Sequence, residues 1–242
     1  MRKDKTPDNP LNEKKVSFKL FDRIYKHYDL LNHVFSLGMD EGWRSRLSAQ
    51  LGKKDHPKIL DLASGTGDVA LRLLKDNPDL PRIYACDKSR NMMVRGRQKA
   101  MKKKFASRLV FVQADAENLP FPDHTFDAIT MAFGIRNMPD PPIVLSEIRR
   151  ILKKGGKVTI LEFSLPPTQP FRGFFLFYLR HLIPLIGRLV SGEPTAYRYL
   201  NQTIETFPYG EKFCQWLQQA DYRHIAFTPL TLGLVTLYQG EK

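Results

Sequence analysis

Ile59-Leu60-Asp61-Leu62-Ala63-Ser64-Gly65-Thr66-Gly67-Asp68 reads as a short buried strand that ends in an acid and runs into a glycine turn. Gly65 and Gly67 lack the Cβ atoms that would hold backbone N–H groups away from a ligand, so this turn suits a nucleoside cofactor. Residues 69–74 then supply the apolar face of the helix that must follow. Gly65-x-Gly67-x-x-Ala70 also satisfies the dinucleotide fingerprint, in which a pyrophosphate rests on the helix N-terminus. Asp61 separates the two readings. Its carboxylate would repel a pyrophosphate, but it suits a cation or an amine. S-adenosylmethionine carries an ammonium and a sulfonium and no phosphate, so the sequence favours the methyl donor over a nicotinamide dinucleotide.

Two more apolar runs end in acids. Arg82-Ile83-Tyr84-Ala85-Cys86-Asp87 places a carboxylate where it can accept both ribose hydroxyls, and the run from Leu109 to Ala116 places Asp115 within reach of the adenine amine. Open α/β sheets bind ligands at the carboxyl ends of their strands, so three such tips in succession outweigh the reading of each as a solvated strand end. Phe126-Asp127-Ala128-Ile129-Thr130-Met131-Ala132-Phe133 is the fourth strand. Enzymes that methylate exocyclic amines of DNA or glutamine commonly carry Asn/Asp-Pro-Pro-aromatic at its end. This chain reads Phe133-Gly134-Ile135-Arg136-Asn137 instead, which argues against an exocyclic amine as target. A helix over residues 139–152, stopped by Gly155-Gly156, leads to a fifth strand over residues 157–163. Strands alternating with helices predict a mostly parallel sheet.

The chain has 242 residues, enough for a sizeable core without staples. Its two cysteines, Cys86 in a predicted strand and Cys214 on a predicted helix, have no disulfide or metal-binding spacing, which fits a reducing cytoplasm. No metal site is expected, and His27 and His33 have no partners at ligand spacing. Residues 1–5 lack the apolar core of a signal peptide and no uninterrupted apolar span reaches membrane-crossing length, so a cytoplasmic protein is expected, peripheral at most on the inner face of the cell membrane. Net charge is +13, which attracts polyanions or acidic lipid. The densest cluster, Arg95, Arg97, Lys99, Lys102, Lys103, Lys104 and Arg108, has no aromatic residue interleaved before Phe105, so it reads as a solvated helix face and not as a nucleic-acid surface.

The organisation read from the chain is a disordered arm over residues 1–14 and a single domain over 15–242. Within that domain, 15–52 hold N-terminal helices, including an apolar helical stripe over 16–35 and a second helix over 40–51. Residues 57–165 form the cofactor-binding core, 166–205 a helical acceptor region, and 206–242 a C-terminal helix and strand hairpin. Residues 171–190 are rich in Phe, Leu and Ile, but Arg172, Arg180, His181 and Arg188 interrupt them and Pro184 is expected to break them. Such a segment can lie in a lipid headgroup layer, cover an apolar substrate as a lid, or pack on the core.

Phe21-Asp22-Arg23-Ile24-x3-Tyr28-Asp29-Leu30-Leu31-Asn32, the 59–68 stretch, Ala114-Asp115-Ala116-Glu117-x-Leu119-Pro120-Phe121, Ala132 to Asn137, Leu161-Glu162-Phe163-Ser164 and Tyr197-Arg198-Tyr199-Leu200 together resemble the ubiquinone/menaquinone biosynthesis C-methyltransferases. The resemblance implies a doubly wound, mostly parallel seven-stranded α/β sheet of the Rossmann-like class I methyltransferase type, with N-terminal helices and a helical lid. It implies transfer of a methyl from S-adenosylmethionine to a ring carbon of a polyprenylated quinol such as demethylmenaquinol. By position, Thr66, Asp87, Asp115 and Ala116 match the family's donor contacts, beside Asp61, Gly65 and Gly67 read from the turn. Ala132 stands where some members have Ser and is left out of the site. Arg136 is expected to stabilise the developing phenolate, with Asn137 and Tyr28 as orienting hydrogen-bond partners or part of a water-mediated base. The expected partners are the quinol, a transient membrane surface, and a second copy or other quinone-biosynthesis enzymes, with no nucleic acid. An S-adenosylmethionine-dependent RNA or other small-molecule methyltransferase is the alternative.

Overall fold

The computed structural model describes residue 25 and residues 28–51, 57–191 and 194–242. The expected arm over 1–14 and most of the stripe over 16–35 lie outside the described residues.

Seven strands form one sheet: β1 (Ile59–Leu62), β2 (Ile83–Asp87), β3 (Leu109–Gln113), β4 (Phe126–Ala132), β5 (Leu152–Phe163), β6 (Arg223–Leu230) and β7 (Val235–Glu241). Their order is β3-β2-β1-β4-β5-β7-β6. The first five are parallel, and β7 runs antiparallel between β5 and β6. All four residues of β1 are buried, as an inner parallel strand covered on both faces requires. The chain steps from β1 outward to β2 and β3 and then crosses back to β4 on the other side of β1, and the crevice beyond the carboxyl end of β1 at this reversal is where such sheets bind ligands.

Helices cover both faces. Trp43 and Leu47 of α2 (Asp40–Ser48) and Val69 to Leu74 of α3 (Asp68–Asp76) pack with Ile59 and Ile83 on one side. α4 (Arg90–Lys102) adds Ala100 to that layer. On the other side, Val144, Leu145 and Ile148 of α5 (Pro141–Ile151) pack with Leu60, Leu62 and Phe213 of a later helix, α9 (Glu211–Gln219). α1 (Tyr28–Phe35) and α2 sit over the carboxyl end of the sheet, joined through Gly38 at φ +77°. The second helix stops at Ser48, three residues short of the expectation.

Two expectations need correction. α5 is opened by Asp140, whose Oδ1 accepts from Ile143 N at 3.1 Å, and it already ends at Ile151. β5 begins at Leu152, so Gly155-Gly156 lies inside a strand and stops no helix. Gly155 has φ +70°, a Cβ on Gly156 would stand 2.8 Å from the Lys153 carbonyl oxygen, and the β4–β5 register shifts between Phe126 and Ala128. The pair therefore makes a bulge. Nor does Pro184 break the apolar segment. α6 (Phe171–Phe177) passes through a wide π-helical turn at Tyr178–Leu182 into α7 (Ile183–Ser191), and α8 (Pro194–Thr206) follows. The wide turn just before Pro184 relieves the ring clash and the missing N–H that would interrupt a regular helix.

Candidate functional site

Asp61 at the β1 tip is only 1% exposed. Its Oδ1 accepts from Thr130 Oγ1 at 3.0 Å, and its Oδ2 from Ala70 N at 3.2 Å. The N-cap of α3 is Gly67, which has no side chain to offer the first-turn N–H groups, and Asp61 takes one of them instead. Burial pushes the Asp61 carboxyl up to about 7, against the pull of these two hydrogen bonds. The turn beyond it runs through left-handed backbone at Ala63, Gly65 and Gly67. Asp87 locks that turn: its Oδ2 accepts from Gly65 N at 2.7 Å while its Oδ1 accepts from Ser89 N at 2.8 Å. At the third tip, Asp115 accepts from Lys88 Nζ at 2.5 Å and from Glu117 N at 3.2 Å. Burial alone would raise its carboxyl, but these bonds outweigh it and hold the group below the usual range. Ala116 is buried against the apolar core.

The crevice at the β1 tip is a pocket lined by Asp61, Ser64, Gly65, Thr66, Asp68 and Val69, by Ala132 at the end of β4 and Phe133 just beyond it, and by Asn32 and Arg44 of the N-terminal helices. Arg44 was not expected there as a ligand-facing group, whereas the one-turn helical spacing of Tyr28, Asp29 and Asn32 lets Asn32 face this cleft. Their helices are pinned to the turn by charge. Thr66 Oγ1 donates to Asp29 Oδ1 at 2.6 Å, Lys99 Nζ donates to Thr66 Oγ1 at 3.0 Å, and Arg95 Nε donates to Asp29 Oδ2 at 3.0 Å. Lys99 also pairs with Asp68. Burial raises the Asp29 carboxyl, yet Lys99 and these bonds more than compensate and leave it lowered. The basic cluster is therefore not uniformly a solvated face. Arg95 and Lys99, one turn apart, clamp α1, and Arg108 donates to the Pro78 and Leu80 carbonyls at 2.6 and 3.0 Å.

On the acceptor side, Phe133 has φ +57°, and a Cβ on Gly134 would stand 2.7 Å from the Ala63 Cβ, so the β4 tip and the donor turn touch. Arg136 follows in a single helical turn and is 4% exposed. Its Nη1 donates to Glu162 Oε1 at 2.6 Å and to the Phe133 carbonyl at 2.8 Å, and its backbone N donates to Glu162 Oε2 at 3.3 Å. Asn137 Nδ2 donates to the same Phe133 carbonyl at 3.1 Å. The guanidinium lies 5.1 Å from the centre of the Phe163 ring, and its buried Nε has no hydrogen-bond partner. Arg136 is thus half of a buried ion pair and not a lone cation. Glu162, fully buried at the β5 tip, was not among the expected site residues. It is a fourth apolar strand ending in an acid, the same signal that marked the other three. Tyr28 opens α1, and its side chain lies outside the described residues. Among the described residues there is no cluster of His, Cys, Asp or Glu able to hold a metal ion.

The ubiE/COQ5 methyltransferase family model matches residues 9–242. The chain belongs to that family. It is 37% identical over 223 residues to a demethylmenaquinone methyltransferase of Porphyromonas gingivalis, an alignment covering 92% of this chain and 91% of that protein. It is 39% identical over 223 residues to a ubiquinone/menaquinone biosynthesis C-methyltransferase of Geobacter sulfurreducens, covering 92% and 87%. Among solved structures it resembles an S-adenosylmethionine-dependent methyltransferase of Thermotoga maritima, described as a possible histamine N-methyltransferase, with TM-score 0.66 at 18% identity over 93% of this chain and 99% of that one. The fold is that of class I methyltransferases, and this family member is an S-adenosylmethionine-dependent methyltransferase. Its pocket fits that donor: a desolvated acid lines it beside a glycine turn, and the buried Ser64 Oγ in the lining has no partner.

Proposed function

We propose that the chain methylates a ring carbon of a polyprenylated quinol, converting demethylmenaquinol to menaquinol. The near full-length likeness to a demethylmenaquinone methyltransferase carries this reading. When bound, S-adenosylmethionine supplies a sulfonium methyl; the ring carbon takes that methyl, the sulfur keeps the bonding pair, and the ring proton is lost. Asp61 would hold the donor's cationic end, Asp87 its ribose and Asp115 its adenine amine, and Gly65, Thr66, Gly67 and Ala116 would shape the space between. Arg136, whose buried Nε has no partner, would donate to the quinol oxygen beside the reacting carbon and stabilise the phenolate that makes the ring nucleophilic. Asn137 and Tyr28 orient that oxygen. No protein nucleophile is needed, because alignment of ring carbon and methyl supplies much of the acceleration.

The prenyl chain resides in a bilayer, and one face of the protein suits that surface. Phe171, Phe174, Phe177, Leu182 and Leu185 are exposed, Phe174 at 70%. Leu179 and Ile183 point the other way into an apolar cluster with Leu31, Leu165 and Ile204. The π turn at Tyr178–Leu182 carries Leu182 and links the two helices that carry the other exposed side chains. Between Leu165 and Ser191 the sequence has three arginines and no acid; Arg180 is paired with Glu205, and the remaining cationic excess suits anionic headgroups. No helix among the described residues is long and apolar enough to cross a membrane.

The test offers labelled donor with anionic vesicles containing demethylmenaquinol, and separately with total RNA. Label should appear on the quinol. Phe174→Glu/Phe177→Glu should abolish co-flotation with vesicles and raise KM for vesicle-borne quinol while sparing donor affinity. Label on RNA alone would overturn the proposal.

A further inference from the structure

S-adenosylmethionine brings three formal charges to the pocket. Asp61 answers its sulfonium and ammonium, but none of the acids at the strand tips answers its carboxylate. Arg44 is the cation in the pocket lining. It is 5% exposed and projects from α2, on which it pairs with Asp40 one turn earlier. Its Nη2 also stands 3.8 Å from Asp68 Oδ2 at the start of α3. Asp40 is itself held: its Oδ1 takes Ser36 Oγ at 2.8 Å and His33 Nδ1 at 3.1 Å, which leaves Oδ2 to Arg44. Burial raises the Asp40 carboxyl, but Arg44 and these bonds outweigh that and keep it ionised. A guanidinium gripped from behind by a fixed carboxylate keeps its planar fork in one orientation, which suits it to a second carboxylate. Arg95 and Lys99, the other nearby cations, do not line the pocket and are engaged by Asp29, Thr66 and Asp68.

We propose that Arg44 binds the donor's carboxylate, so that the methionine end of the cofactor is held as a zwitterion between Asp61 and Arg44, with Asp40 positioning the guanidinium. The unpartnered Ser64 hydroxyl, in the same lining, is a second donor to that carboxylate. The inference rests on the donor site and stands independently of which acceptor is methylated.

Calorimetry on the intact chain tests it with three ligands: S-adenosylmethionine, S-adenosylhomocysteine and decarboxylated S-adenosylmethionine, which keeps the sulfonium and amine but lacks the carboxylate. The wild-type protein should bind the decarboxylated ligand at least about tenfold more weakly than the full donor, the weight of one charge-assisted bond. Arg44→Gln should weaken the two carboxylate ligands by a similar factor and leave the decarboxylated one within about threefold, and Arg44→Lys should recover part of the loss. A purely structural role would weaken all three ligands equally, and that result overturns the proposal. Should Arg44→Gln fail to fold because Asp40 loses its partner, the wild-type comparison decides: equal affinity for the full and decarboxylated donors overturns it. Failure of the wild-type protein to bind any of the three would instead remove the donor site itself.

Discussion

Lowering the pH from 8 to 6 should weaken donor binding about tenfold, because Asp61 must be ionised to face a dication and its buried carboxyl sits at about 7. With that value roughly one tenth of the molecules carry the anion at pH 6 and roughly nine tenths at pH 8, and apparent affinity scales with the competent fraction. Thr130 and Ala70 favour the anion by hydrogen bonding and Arg44 by its charge, whereas Asp87 opposes it. Near pH 7, binding should release about half a proton as the incoming cations pull the carboxyl down. Calorimetry in two buffers of different ionisation enthalpy reads this directly. Asp61→Asn should bind weakly at every pH and release no proton, while His33→Gln, which alters the imidazole on Asp40, should leave the release intact. Without donor the sign reverses for stability. The folded state holds the Asp61 proton more tightly than the unfolded chain between about pH 4 and 7, so this acid lowers stability as the pH climbs through that window. Flat affinity between pH 6 and 8, or an unchanged slope in Asp61→Asn, would refute the reasoning.

Other substitutions probe the link between the donor turn and the acceptor side. Arg136→Ala should cut kcat about 10²-fold while holding donor Kd, the range for losing one preorganised stabiliser. It should also lower Tm, because Glu162 becomes an uncompensated buried charge, and Arg136→Met/Glu162→Met should recover Tm without turnover. Steady-state kinetics with thermal melts separates the two effects. Gly134→Ala places a methyl 2.7 Å from the Ala63 Cβ and should weaken donor binding by displacing the turn, with the Tm little changed if that turn yields. Unaltered donor Kd would show that the two tips are not mechanically joined.

Much of the donor side could be read from the chain, because each of its acids ends a short apolar run and strand tips converge in a parallel sheet. Asp61, Asp87 and Asp115 share that pattern. Glu162 shares it too, but its pairing with Arg136, 26 positions away, shows only in the fold. Arg44 enters the pocket from a helix whose placement involves an ion pair between distant positions, Arg44 with Asp68 at the start of α3. Such pairs leave no mark in local periodicity. Arg95 and Lys99 did show one-turn spacing, but a charged pair on a helix face reads the same whether it faces water or a neighbour. The glycine pair at 155–156 and Pro184 were misjudged for a common reason. Each is a breaker of regular structure, and here a bulge and a π turn absorb them.

The most direct test of the account is a single turnover with donor carrying a CD3 group on sulfur and demethylmenaquinol in anionic vesicles, followed by mass spectrometry and NMR of the extracted lipid. Menaquinol with the intact CD3 on the vacant ring carbon should form with the wild-type protein, and about 10²-fold more slowly with Arg136→Ala. Label on a quinol oxygen, or binding of the donor with no labelled quinol, would contradict it.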